Sequence, residues 1–193
     1  MSTPSIPPDL LTLAQTDAFT PLPLPPTSLA TIYTTPPFVP IPDTFNTRDL
    51  GLLPNSPIRP GLVYRTGGFL AGISPAGAAA IATDLRIKKV FDLRSAREHE
   101  RQPDPEVGQG VEMVWVRPGE GGVVDMEMYE EGEGERGVVS GYLEVLRLYA
   151  GGIRAVLEGV RDGGGEEAVL VHCNGECCCL FFLWLVVFPL GGA

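Results

Sequence analysis

From Phe45 onward the chain moves between two hydrophobic rhythms. Short apolar runs ending in polar turns, "GLVYRTG" (61–67), "KKVFDLRS" (88–95) and "AVLVHC" (168–173), read as strands, and "VEMVWV" (111–116) alternates into another. Between the first two, "SPAGAAAIATDLRI" (74–87) reads as a helix, with Ser74 as N-cap and Pro75 in the first helical position. The longest helical pattern is "GYLEVLRLYAGGIRAVLEGVRD" (141–162). Its Tyr142, Val145, Leu146, Tyr149, Ile153, Val156, Leu157 and Val160 recur at the spacing that makes one apolar stripe, and Gly151 and Gly152 are the expected bend. Strands alternating with helices predict an α/β fold, a mainly parallel sheet flanked by helices. Binding sites in such sheets form beyond the carboxyl ends of the strands, where Cys173 falls.

The first 43 residues have another texture, holding eleven of the nineteen prolines. Proline removes a backbone donor and fixes φ, so this stretch is expected to run as an extended arm without helix or central strand. The run "EEGEGERG" (130–137) reads as a solvated acidic loop.

Bulk composition narrows the function. A chain of 193 residues, 44% hydrophobic and 20% charged, is long enough for one globular domain. A net charge of −10 excludes the basic face of a nucleic-acid binder, but leaves room for a locally built anion site. All four cysteines stand at 173, 177, 178 and 179, so no disulfide joins distant segments. The N-terminus has neither the cationic start nor the apolar core of a signal peptide, and a cytoplasmic protein is expected. The apolar run from Cys177 to Leu190 falls short of the roughly 20 residues a spanning helix needs, so no membrane anchor is expected. Three consecutive cysteines cannot converge on one tetrahedral ion, and neither metal nor other cofactor is expected.

The chemistry concentrates at the end of the last strand. A cysteine that leaves a buried strand and opens a glycine-containing turn is a nucleophile position, because loop N–H groups stabilise its thiolate. The same N–H groups can hold phosphate oxygens, here from Asn174 and Gly175. Phosphoryl transfer to the thiolate also needs a guanidinium six residues on, after five intervening residues, to fork two oxygens and offset transition-state charge. That position is Cys179, preceded by Glu176, Cys177 and Cys178, and no arginine or lysine follows Arg161.

Three ordered motifs, "FNTRDLG" (45–51), "RPGLVYRTGGFLAGISPAGAAAI" (59–81) and "IKKVFDLRSAREHE" (87–100), precede the long helix and "VLVHC". Together they resemble the tyrosine phosphatases of bacteria and fungi, whose patterns are N-F-R-D-[LV]-G, G-x-[LVI]-[FY]-R-[ST], D-L-R-[ST] and H-C-x-A-G-K-D-R-T-G. The resemblance spans residues 45–173. It implies a cysteine-phosphatase-like fold, C-terminally incomplete, with Cys173 as nucleophile and a phosphorylated protein or other phosphate monoester as substrate. It also implies that Arg48 and Asp49, in a turn with Asn46, buttress the phosphate loop. Asp92 and Arg94 are expected as a brace at a strand end, His172 as a residue fixing the loop, and His99 as a solvent-facing helix residue.

At the loop the resemblance fails: glycine, lysine, aspartate and arginine of the pattern correspond to Glu176, Cys177, Cys178 and Cys179. The chain divides accordingly into a Pro-rich arm (1–43), an incomplete phosphatase-like domain (44–176) and an apolar tail (177–193). Gly-Glu-Cys can be encoded GGT GAG TGT, which contains GTGAGT, a typical intron start. On this reading residues 175–193 are translated intron, and an alanine codon would follow Asn174 after splicing. The competing reading is a non-catalytic pseudophosphatase that binds a partner. A third arises because "FDLRSAREHE" also resembles the D-x-R-x-x-x-E motif of rhodanese-type sulfurtransferases.

Overall fold

The computed structural model describes residues 25–69, 72–119 and 134–174. Its framework is a five-stranded sheet in the order β1-β2-β5-β3-β4. The strands are β1 (Arg48–Asp49), β2 (Val63–Thr66), β3 (Ile87–Asp92), β4 (Glu112–Trp115) and β5 (Ala168–His172). β5 pairs in parallel with β2 and β3, and β3 with β4, while β1 runs antiparallel to β2. The expected mainly parallel α/β sheet is therefore present. All five residues of β5 are buried, as a central strand covered on both faces requires.

Two apolar cores lie on the two sheet faces. One holds Val63, Phe91, Val156, Val169, Val171 and Cys173; the other holds Tyr64, Ile81, Ile87, Val90 and Leu170. The alternation along β5 sends Val169, Val171 and Cys173 to one side and Leu170 to the other.

The helices depart from the sequence expectation in instructive ways. Helix α1 (Pro26–Thr34) lies inside the proline-rich stretch. Prolines crowd on both sides of it, but "PTSLATIYT" has one only at its start, where a missing N–H costs nothing. Residues 38–43, assigned to the arm by composition, pack with the domain. Val39 N–H donates to the Thr47 carbonyl at 3.0 Å, Phe38 bridges to Arg48, and Ile41 is buried.

Helix α2 (Pro75–Ala79) begins as predicted, with Ser74 Oγ accepting from Gly77 N–H. It then widens into a π-turn over Ala80–Asp84. Leu85 N–H bonds back to the Ala80 carbonyl, and Arg86 at φ 55° ends the helix short of residue 87. Helix α3 (Ala96–Arg101) starts in a reciprocal capping box between Ser95 and Glu98.

The long helical pattern forms two helices, α4 (Glu135–Leu148) and α5 (Ala150–Asp162). The break falls at Tyr149, before the glycines. The Leu148 carbonyl there accepts a 2.8 Å bond from Gly119 N–H outside the helix. Gly152 serves contact instead: a Cβ on it would meet Val116 Cγ1 at 2.8 Å. Of the predicted stripe, Val156 is buried but Leu157 is 46% exposed, one position off the packed face. The side chain of Tyr142 and the tail 177–193 lie outside the described residues. No helix among the described residues is long and apolar enough to cross a membrane.

Candidate active site

The sequence delivers Cys173 and His172 to the carboxyl end of the central strand. Cys173 is buried, one residue beyond the point where Thr66, His172 and Asp92 stand in register across β2, β5 and β3. The end of β2 is shaped to admit its neighbours. A Cβ on Gly67 would fall 2.2 Å from the Phe45 ring, and one on Gly68, held at φ +136°, 3.0 Å from the Cys173 carbonyl. Thr66 Oγ1 donates to the Phe45 carbonyl and accepts from Thr47 Oγ1, tying the "FNT" turn to this strand.

A buried ionic network lies beside His172. Asp92, 1% exposed, accepts from Arg94 Nε at 2.9 Å, Arg94 Nη2 at 3.0 Å and the Arg94 backbone N–H at 2.9 Å. Arg94 also donates to Asp104 Oδ1 at 2.6 Å and the Gln102 carbonyl at 2.8 Å. Burial alone raises the Asp92 pKa. The Arg94 hydrogen bonds, the Coulombic pull of His172 and the His99 bond outweigh it and hold the carboxyl at about 2. Burial likewise opposes the Arg94 charge, and Asp92 first, then Asp104 and Glu98, reverse that and raise its pKa. The pair ties the end of β3 to Asp104 and to the Gln102 carbonyl. Sequence gave no sign of Asp104, because the loop that carries it has no recognisable period.

His172 is 1% exposed, with Nε2 3.3 Å from Asp104 Oδ1 and 3.9 Å from Asp92 Oδ1 but outside hydrogen-bond geometry. Its ring meets the Phe69 ring edge-on at 5.3 Å. His99, expected in solvent, lies instead with Nδ1 2.7 Å from Asp92 Oδ2, stacked on Trp115 at 4.3 Å. The carboxylate at the end of β3 draws it inward, and the indole covers its ring. Trp115 in turn donates from Nε1 to the Arg94 carbonyl at 3.1 Å.

Asp92, Asp104 and His172 bring possible metal ligands within 4.8 Å of one another. The Arg94 guanidinium already contacts both carboxylates there, so a divalent ion would have to displace a cation that fits the site bidentately. The donor set suits an arginine-centred brace better than a metal site.

The remaining predicted residues take separate places. Asn174 is exposed, and its Nδ2 donates to Glu98 Oε1 at 3.3 Å. That bond, the Ser95 contacts above all, and Arg94 lower the Glu98 pKa. Gly175 lies outside the described residues, as do Glu176, Cys177, Cys178 and Cys179. Asp49 bonds within its own neighbourhood: its carboxylate accepts from Gly51 N–H at 2.8 Å and Gly61 N–H at 2.7 Å. Burial raises its pKa and outweighs both bonds. In register opposite Tyr64, it stands on the sheet face away from Cys173, where it closes the loop between β1 and β2.

Arg48 stands on the Cys173 face, its Cζ 4.5 Å over the Phe38 ring. Opposite it in register is Arg65, a residue that sequence reasoning passed over. Arg65 stands within the quoted "VYRT" motif, but motif order alone does not show which strand it faces. Burial lowers the Arg65 pKa and Arg48 lowers it further, while the Cys173 sulfur raises it. The thiol therefore has a cationic neighbour on β2.

Among curated proteins, none matches the chain. A family model described as the tyrosine phosphatase family matches residues 39–175, more than half the chain. The match takes in the "FNTRDLG" turn, the strand bearing Arg65, the Asp92–Arg94 brace and Cys173. On that match the chain belongs to the tyrosine phosphatase family.

Proposed function

We propose that this domain receives a phosphate monoester, phosphotyrosine foremost, at the carboxyl end of β5. Where an arginine-bearing loop follows Cys173, the thiolate attacks phosphorus. The S–P bond forms as the P–O bond to the leaving group breaks, and an acid of the loop protonates the leaving oxygen. Water then hydrolyses the cysteinyl phosphate, releasing inorganic phosphate and the thiolate. The observation carrying this reading is the buried Cys173 at the end of the central strand of a tyrosine-phosphatase-family domain. The Asp92–Arg94 brace supports it by making the adjoining strand end rigid.

With Glu176, Cys177, Cys178 and Cys179 after the turn, this chain has neither the arginine to fork the phosphate nor the aspartate to serve as acid. Loss of such a charge-stabilising group costs on the order of 10³ in rate or more. The chain as written therefore binds a phosphate ester without appreciable turnover.

The test is p-nitrophenyl phosphate hydrolysis by the chain as written and by a form carrying Gly175→Ala, Glu176→Gly, Cys177→Lys, Cys178→Asp and Cys179→Arg. The second should turn over at least about 10³-fold faster, and Cys173→Ser in that background should abolish the gain. Equal rates in the two forms would sink the proposal.

A further inference from the structure

We propose that Arg48 and Arg65 form an anion site on the Cys173 face of the sheet, which takes a phosphate dianion between the two guanidiniums. The inference rests on the reading that phosphate esters bind at this strand end. It adds the group that meets their charge when position 179 is not arginine.

Strand register carries the argument. Arg48 stands opposite Arg65, and Arg65 opposite Val171, so all three side chains leave the same face of the sheet. Cys173 lies two residues beyond Val171 and packs in the same core cluster. One row of the sheet thus points two cations toward the side on which the thiol emerges.

Carboxylate partners set Arg48 and Arg65 apart from the buried arginine of the network beside His172. Arg94 draws two, Asp92 and Asp104. Arg48 and Arg65, both half-buried, have no carboxylate partner among the described residues, and the Cys173 sulfur is the counter-charge that acts on Arg65. The Nε of Arg48 is buried without a partner. The Phe38 ring beneath that guanidinium attracts its charge but leaves the in-plane N–H groups free to donate.

Burial lowers the pKa of both arginines, and Arg48 lowers the Arg65 value further. Two like charges on facing positions of neighbouring strands, each partly withdrawn from water, are costly unless a counter-charge joins them. A dianion fits this arrangement, because each guanidinium presents a planar fork of donors to tetrahedral oxygens. A single carboxylate would neutralise only one of the two.

The experiment measures inorganic phosphate binding to the full chain at neutral pH and constant ionic strength, by calorimetry and by the rise in melting midpoint. Arg65→Gln and Arg48→Gln should each weaken binding at least about tenfold, the loss expected for one charge-assisted pair. Arg65→Lys should keep part of the affinity. Arg154→Gln, an exposed change on α5 that alters net charge equally, should bind phosphate as the native chain does. Circular dichroism checks folding, and if Arg65→Gln does not fold, Arg48→Gln reads the same site. Native-like binding by a folded Arg65→Gln or Arg48→Gln form, or no phosphate binding by the native chain, overturns the inference. The two proposals fail separately. Arginine-dependent binding with no hydrolysis after loop restoration removes the catalytic reading alone. Hydrolysis after restoration with arginine-independent binding removes the anion site alone.

Discussion

Asp92→Asn should be among the most destabilising isosteric changes in this protein, and the network around it sets the size of the effect. The carboxylate accepts from Arg94 Nε, Nη2 and backbone N–H, and lies 2.7 Å from His99 Nδ1. An amide keeps one acceptor oxygen but points an NH2 group at donors, leaving Asp104 as the carboxylate that bonds Arg94 among the described residues. Removing one member of a buried pair in this way costs about 3–5 kcal/mol. The depressed ionisation points the same way. Holding the carboxyl at about 2 against an ordinary 3.8 is a stabilisation of ~2 kcal/mol at neutral pH.

The sign follows from the direction of that shift. A depressed carboxyl pKa stabilises the fold above its unfolded value, and the contribution is lost as pH falls from about 4 through about 2. Urea denaturation of the native and Asp92→Asn chains at pH 7 should show the 3–5 kcal/mol difference, a drop in melting midpoint of about 6–20 °C. The gap should shrink when the titration is repeated near pH 3. Adding Arg94→Met to Asp92→Asn should cost less than the two single changes summed, because each removes the same pair. A difference below about 1 kcal/mol at pH 7, or one that ignores acid, would refute the network as the brace of this strand end.

Other changes test other parts of the structure. Val156→Ala should cost about 2–3 kcal/mol in chemical denaturation, whereas Leu157→Ala should fall within about 0.5 kcal/mol, since only Val156 is buried. The reverse order would mean that α5 is rotated. Asp49→Ala frees the N–H groups of Gly51 and Gly61 and should destabilise by about 2–3 kcal/mol, with Asp49→Asn costing less than half as much. Trp115→Phe removes the bond to the Arg94 carbonyl and shrinks the surface stacked on His99; a loss of about 1–2 kcal/mol is expected by thermal unfolding.

Much of the framework was legible because it rests on local rules. The buried apolar runs of β2, β3 and β5 and the Ser74–Pro75 helix start each carry their own signal, and the structure has them where the pattern put them. What escaped the sequence depends on contacts and windows that no local pattern displays. The break at Tyr149 arises where Gly119 takes the Leu148 carbonyl. His99 turns inward because Asp92, seven residues earlier, ends its strand beneath it. Helix α1 was hidden by composition, since a proline count over 43 residues does not show the nine-residue window between the clusters.

The candidate site divides in the same way. Cys173, His172, Asp92 and Arg94 could be singled out because each sits at the end of a recognisable strand. Arg65 could not, although its motif was visible, because only the pairing of β1, β2 and β5 places it beside Arg48 on the Cys173 face. Asp104 had no motif at all, and its role comes from its contacts with Arg94 and His172.

The most direct test of the account is to trap the intermediate. The chain with the five loop substitutions retains Cys173 as its only cysteine. It can be mixed with a phosphotyrosine peptide, quenched in acid and mapped by mass spectrometry. The account predicts one phosphoryl group on the peptide bearing Cys173, absent from the Cys173→Ser control. Release of phosphate with no adduct on that cysteine, or with the same rate in the control, would contradict it.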